Sequence, residues 1–223
     1  MLSLYILLVS TVSSSYGGGV KLTPVVETLN APIVGKIENI GGTDLNFFLG
    51  VPYAKPPVDD LRFQLPQALD RTTELIEAIE FPARCMQHRL SLRYVREKMS
   101  EDCLYLNIVT PGKALIEKNK KYPVMVSILH RDYNIGSGND ELYLKAELVK
   151  RQNIILVTMN ARLNVFGYAT TEEEDSIPSN VGLWDENYAL RWVKNNIEFF
   201  GGDPNALTPV SYTHLTLPTI YSV

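Results

Sequence analysis

The side chains with the most chemistry to offer stand directly after one apolar run. Val124, Met125, Val126, Ile128 and Leu129 form a nearly unbroken stretch rich in β-branched residues. Such a run predicts a strand buried on both faces, inside a mostly parallel sheet. It stops at His130, and His130, Arg131, Asp132 and Tyr133 place an imidazole, a guanidinium, a carboxylate and a phenol in consecutive positions ahead of Gly136-Ser137-Gly138. In open α/β sheets, ligands bind and reactions run beyond the carboxyl ends of the strands. The loop from His130 to Gly138 is therefore the first candidate for function. Other chemistries find no support. The chain has no zinc or haem spacing, no P-loop and no G-x-G-x-x-G, so no metal and no cofactor is expected. Its 223 residues are 45% hydrophobic and 21% charged, the balance of an ordinary globular chain. A net charge of -4 speaks against a nucleic-acid partner, which needs a basic face.

The elements that must position this loop can be read in order. Residues 25–39 carry two short alternating segments around Asn30-Ala31-Pro32, the pattern of a hairpin. Residues 45–51 read as a strand ending at Pro52, and three prolines at 52, 56 and 57 then enforce an extended path. Residues 84–98 are basic and predict a solvated surface segment with some helix. Residues 101–109 lead into a strand. After the apolar run, residues 141–151 predict an amphipathic helix and residues 153–159 a second buried strand, together a right-handed βαβ unit. Residues 184–200 predict a helix whose Trp184, Tyr188, Trp192, Val193, Ile197 and Phe200 face the core. Asp185 and Glu186 fall in its first turn, where they complement the dipole, and Gly201-Gly202 suit a left-handed stop.

Residues 2–12 are mostly apolar and are followed by three serines and three glycines. This predicts a signal peptide over residues 1–17, although no basic residue precedes the apolar core; a disordered or buried N-terminus is the alternative. The run is too short to span a bilayer, and no later run makes a transmembrane anchor. A secreted or extracellular location follows, and with it an oxidising compartment. There Cys85 and Cys103 would form a disulfide, whose closed loop stabilises by about 3 kcal/mol in the chain-entropy model. The alternative is two free buried thiols.

Several stretches together go beyond local physics. They are Gly50-Val51-Pro52-Tyr53-Ala54-Lys55-Pro56-Pro57 with Leu61-Arg62-Phe63, then Glu101-Asp102-Cys103-Leu104-Tyr105-Leu106-Asn107, then Asn160-Ala161-Arg162-Leu163-Asn164-Val165-Phe166-Gly167, then Asn180-Val181-Gly182-Leu183-Trp184-Asp185, and Phe200-Gly201-Gly202-Asp203-Pro204-Asn205. In order and spacing they resemble the N-terminal part of the type-B carboxylesterase and cholinesterase family, secreted α/β-hydrolases, over residues 22–208. The resemblance implies an α/β-hydrolase fold, with a mixed, mostly parallel sheet and an antiparallel N-terminal hairpin. It also implies a Cys85–Cys103 disulfide and ion pairs Arg62–Glu101 and Arg162–Asp185. Physics agrees that an arginine inside a core needs a carboxylate; otherwise the pairs are surface contacts worth little.

Two departures from the family stand out. Where the family has His-Gly-Gly-Gly, whose bare backbone N–H groups meet the oxyanion formed in ester attack, this chain has His130-Arg131-Asp132-Tyr133. This is a degenerate oxyanion-loop position: Cβ atoms restrict the backbone, a carboxylate repels an oxyanion, and one lost donor costs about 10² to 10³ in rate. The alternative is another backbone conformation that keeps the hole. The second departure is that no G-x-S-x-G occurs, and residues 209–223 read as a tail foreign to the family. No catalytic residue is expected in this chain, and neither Ser211 nor His214 is given that role. Two functions follow for a full-length parent. One is a secreted serine carboxylic-ester hydrolase acting on a small ester substrate. The other is a catalytically inactive, neuroligin-like adhesion protein with a protein partner.

Overall fold

A computed structural model describes residues 19–88, 98–117, 119–130, 132–140, 142–170 and 177–211. The signal-peptide expectation for residues 1–17, Arg131 of the candidate loop, residues 89–97 of the basic segment and the tail beyond Ser211 lie outside the described residues.

The apolar run forms β9 (Tyr122–Ile128). Its neighbours are β10 (Ile155–Met159) and β11 (Gly202–Ser211), both parallel to it, with Val126 opposite Val157 on one side and Pro209 on the other. β8 (Tyr105–Pro111) runs antiparallel to β10, β4 (Thr43–Pro52) antiparallel to β8, and β3 (Lys36–Ile40) antiparallel to β4. The spatial order β11-β9-β10-β8-β4-β3 makes one mixed sheet. Helix α1 (Leu142–Gln152) connects β9 to β10 and closes the expected βαβ unit.

Apolar side chains cover both faces of this sheet. On one face Phe48, Leu106, Ile108, Val126 and Val157 pack with Trp192, Val193, Ile197 and Phe200 from the segment before β11. Phe48 and Phe200 meet edge to face at 4.9 Å between centroids. On the other face Leu45, Phe47, Leu49, Val109 and Leu156 pack against Leu142, Ala146 and Val149 of α1. Burial on two sides explains why β9 and β10 read as unbroken apolar runs.

A hairpin of β1 (Val26–Glu27) and β2 (Pro32–Val34) sits apart from the large sheet, with β5 (Ile76–Glu77) added parallel to β2. The chain passes from β2 into β3 at Gly35, where a Cβ would collide with the Phe47 carbonyl and the Phe48 ring. The short strands β6 (Arg84–Cys85) and β7 (Met99–Ser100) pair in parallel beside the disulfide.

Two expectations need correction. The C-terminal helix, α3, starts at Val181 and runs to Asn196, followed by a 3₁₀ turn Ile197–Phe200 that Gly201 closes at φ 86°. Its buried line is Val181, Asp185, Ala189, Trp192 and Val193, so Asp185 lies on the inner face, one turn into the helix and not in its first turn. Trp184 is 50% exposed, because it lies about 100° around the helix from Asp185. Arg84, expected on a solvated surface, is 2% exposed. A nearby carboxylate on the loop after β9 makes that burial tolerable, as the site geometry shows.

Candidate functional site

The loop of residues 130–140 leaves the carboxyl end of β9 and is folded back on it. Gly136 has φ 137° and sits against the Leu129 carbonyl and the His130 Cα, leaving no room for a side chain. Asp132 and Tyr133 have φ of 52° and 58°, the left-handed region in which glycine is at ease. An L-residue there costs about 1–2 kcal/mol, less for aspartate, whose short polar side chain tolerates it better. The backbone thus follows a glycine-like path while carrying side chains.

Of the two, Asp132 is exposed and Tyr133 is half-exposed, with its ring against two neighbours. The Tyr133 ring lies 4.8 Å from the imidazole of His130 and 4.9 Å from the ring of Tyr168, in α2 (Asn164–Tyr168). His130 Nε2 is 2.9 Å from Oε1 of Glu186 on α3, and both side chains are nearly buried. Burial, then the Glu186 carboxylate, raises the Tyr168 phenol well above its ordinary value. The N–H of Asn164 donates to the Tyr133 carbonyl at 3.0 Å, and its Nδ2 donates to the Asn134 carbonyl at 2.9 Å, which ties the loop to α2.

The second half of the loop has its backbone donors engaged from within the protein. Gly136 N–H donates to Gln87 Oε1 at 2.9 Å and Gly138 N–H to Asn160 Oδ1 at 2.8 Å. Asn139 N–H donates to Ser137 Oγ at 3.1 Å, and Asp140 N–H to the Ser137 carbonyl at 3.0 Å. From beneath, Asn107 Nδ2 on β8 and Thr158 Oγ1 on β10 both donate to the Gly138 carbonyl, at 3.1 and 2.6 Å. Asn107 Oδ1 accepts from Gly50 N–H at 3.0 Å, where the β4–β8 register shifts. Tyr53, fully buried, donates its hydroxyl to the Asn160 carbonyl at 2.7 Å, and burial drives its phenol far above the usual range.

Three ion pairs and a disulfide brace this end of the sheet. Arg162 Nε and Nη2 donate to Asp185 at 2.8 and 2.7 Å, and the Arg162 N–H donates to the same carboxylate at 3.0 Å. Burial raises the Asp185 carboxyl, and Arg162 partly pulls it back. Gly167 and Gly182 let α2 and α3 close on the Arg162 carbonyl, where any Cβ would strike it. Arg62 Nη2 donates to Glu101 Oε1 at 2.9 Å; with Arg62 42% exposed, water screens this pair and it adds little stability. Arg84 donates to Asp140 at 2.6–2.9 Å. Cys85 and Cys103 are joined, with 5.0 Å between their Cα atoms.

The geometry therefore gathers His130, Asp132 and Tyr133 with Arg162 and Asp185 at one end of the sheet, and puts Arg62, Glu101 and the disulfide beside them. Sequence reasoning missed Gln87, Asn107, Asn160 and the Arg84–Asp140 pair. Asn107 and Asn160 stand at the polar ends of quoted motifs, a usable signal, whereas nothing local marks Gln87. Ser211 ends β11 opposite Ile128, and His214 lies outside the described residues. Among the described residues, no helix is long and apolar enough to cross a membrane.

A mixed sheet covered by helices on both faces, with a braced loop after β9, is the frame of an α/β-hydrolase, and comparison with known proteins agrees. The model of the carboxylesterase family matches residues 22–212, so the chain belongs to that family. That match ends four positions beyond Thr208, and β11 runs to Ser211. The chain is 38% identical over 192 residues to acetylcholinesterase-1 of Trittame loki, covering 84% of this chain and 34% of that one. It is 37% identical over 200 residues to liver carboxylesterase 1 of Oryctolagus cuniculus, covering 83% and 34%. Gut esterase 1 of Caenorhabditis elegans is 38% identical over 191 residues, covering 85% and 32%. The chain thus spans about one third of the length of the curated relatives it matches.

Proposed function

We propose that this chain is the N-terminal part of a secreted carboxylic-ester hydrolase that acts on small esters through an acyl-enzyme, with residues 1–17 as its signal peptide. In such a reaction a serine hydroxyl adds to the ester carbonyl, the alcohol leaves, and water releases the acid. The nucleophile and its acid and base partners would come from outside this chain, which by itself turns over no ester. The loop His130-Arg131-Asp132-Tyr133 takes the oxyanion-hole position. The observation that carries this reading is the left-handed backbone at Asp132 and Tyr133, the path glycines would take, kept without glycine.

The complete protein should hydrolyse nitrophenyl acetate slowly, and Arg131→Gly with Asp132→Gly should raise kcat by about 10²-fold, the worth of one recovered donor. A complete protein without a nucleophilic serine, or one that stays inert after both glycines are restored, would refute it.

One observation favours a second reading. The N–H groups of Gly136, Gly138, Asn139 and Asp140 are engaged internally, and the Asp132 carboxylate stands on the loop. A loop organised for its own stability suits an inactive member that binds a protein partner. Full activity of the unmodified complete protein would exclude it.

A further inference from the structure

The segment just before the disulfide grips the candidate loop at successive residues. The Pro82 carbonyl accepts from Asn139 Nδ2 at 2.9 Å, and the Ala83 carbonyl accepts from Asn160 Nδ2 at 3.1 Å. Arg84 closes its ion pair on Asp140. Gln87 does something more particular. Its Nε2 donates to the Gly136 carbonyl at 2.8 Å while its Oε1 accepts from the Gly136 N–H at 2.9 Å. One side-chain amide thus satisfies both backbone groups of one residue, as a neighbouring strand would. The same Nε2 donates to the Cys85 carbonyl at 3.1 Å, which fixes the direction of the amide.

Gly136 is the pivot of the loop. Its φ of 137° and its contact with Leu129 and His130 allow one tight path, which ties the turn at Asp132 and Tyr133 back to the end of β9. A pivot glycine has wide conformational freedom, so its geometry must be imposed from outside. What imposes it is anchored in turn. Cys85, two residues before Gln87, is 2% exposed, bonded to Cys103, and paired through β6 with β7 by only two residues on each side. Without the covalent bond, that short pairing and the loop contacts themselves would hold the segment.

We propose that Gln87 is the positioning residue of the candidate oxyanion loop, and that the Cys85–Cys103 disulfide acts on the loop through it. The loop's catalytic meaning rests on the function proposed above; the clamp itself does not. The test therefore reads backbone protection and not hydrolysis, so a failed clamp and a failed enzyme reading are told apart. Amide exchange of the isotope-labelled 223-residue chain would be followed by NMR in the wild type, Gln87→Leu and Gln87→Glu, with amides of β8, β9 and β10 as the internal control. Gln87→Leu keeps the shape and loses both hydrogen bonds, and should speed Gly136 exchange about tenfold. Gln87→Glu keeps the acceptor for the Gly136 N–H but turns its second carboxylate oxygen on the Gly136 and Cys85 carbonyls, so it should recover only part of the protection that Gln87→Leu loses. Gly138, held by Asn160, should change less in both. Cys85→Ala with Cys103→Ala should speed Gly136 at least as much as Gln87→Leu does. An unprotected Gly136 in the wild type, no change in Gln87→Leu, or equal loss in Gln87→Glu and Gln87→Leu overturns the proposal. If the cysteine variant does not fold, the two Gln87 variants decide the clamp, and a Cys85→Ser single variant with slow Gly136 exchange would sever its link to the disulfide.

Discussion

Removing Asp185 should cost more stability than any other single carboxylate among those described, and the size of the loss can be worked out. The Asp185 side chain is 0% exposed and that of Arg162 4%, so neither charge can turn to water. Asp185→Ala deletes two guanidinium hydrogen bonds and one backbone hydrogen bond. It leaves a buried cation whose Nη1 already lacks a hydrogen-bond partner, so no second acceptor is at hand. Breaking a buried pair from one side typically costs about 3–5 kcal/mol, while replacing both partners by apolar residues of similar size is near neutral. Asp185→Ala and Arg162→Met should each therefore lose about 4 kcal/mol, and Arg162→Met with Asp185→Leu should come back to within about 1 kcal/mol of the wild type. Urea unfolding followed by tryptophan fluorescence suits the measurement, because both tryptophans of the chain, Trp184 and Trp192, lie on α3 beside Asp185. A single-variant loss under about 1 kcal/mol, or a double variant as damaged as the sum of its singles, would refute the reasoning, since the pair would then be no better than a surface contact.

Other outcomes follow from the same geometry. Gly167→Ala should destabilise by about 1–3 kcal/mol, because its Cβ meets the Arg162 carbonyl, a backbone group that cannot swing aside; wild-type unfolding midpoints would contradict this. Asp132→Gly should leave the chain about 1 kcal/mol more stable than Asp132→Ala, because only alanine pays for the left-handed φ of 52°; equal stabilities would show that the position is unstrained. The phenols of Tyr53, Tyr105 and Tyr168 are all raised above their ordinary value, in each case first by burial. Their contribution to stability is thus complete below about pH 10 and is lost as pH rises further, when only the unfolded chain can ionise them. Absorbance at 295 nm should show these three titrating together with loss of helical circular dichroism; a reversible wave near pH 10 covering every tyrosine with the fold intact would disprove it.

The framework was legible where one physical rule acts alone. β9, α1 and β10 follow from unbroken apolar runs around a segment of helical period, because burial on both faces leaves no place for polar residues. The Arg62–Glu101 and Arg162–Asp185 pairs came from motif resemblance, and the structure places both sets of partners within hydrogen-bond distance. What stayed hidden depends on partners far along the chain. Gln87 meets Gly136 across 49 positions, Asn160 meets Ala83 across 77, and Arg84 meets Asp140 across 56. A lone arginine in a basic stretch reads as solvated until its carboxylate is found. The start of α3 is less legible for a local reason: Asn180, at a left-handed φ of 57°, and Gly182 both read as turn residues, so Val181 to Leu183 pass for the end of a loop.

Among the described residues β11 is bonded to β9 on one flank only. A strand in that position is a template on which another chain can grow, and Pro204 and Pro209 remove two donors from it. Any visitor must therefore settle for an incomplete ladder, read more through carbonyls than through amides. Crowded copies of this polypeptide would stick to one another along that flank more weakly than an uninterrupted strand would allow, and dilution should part them.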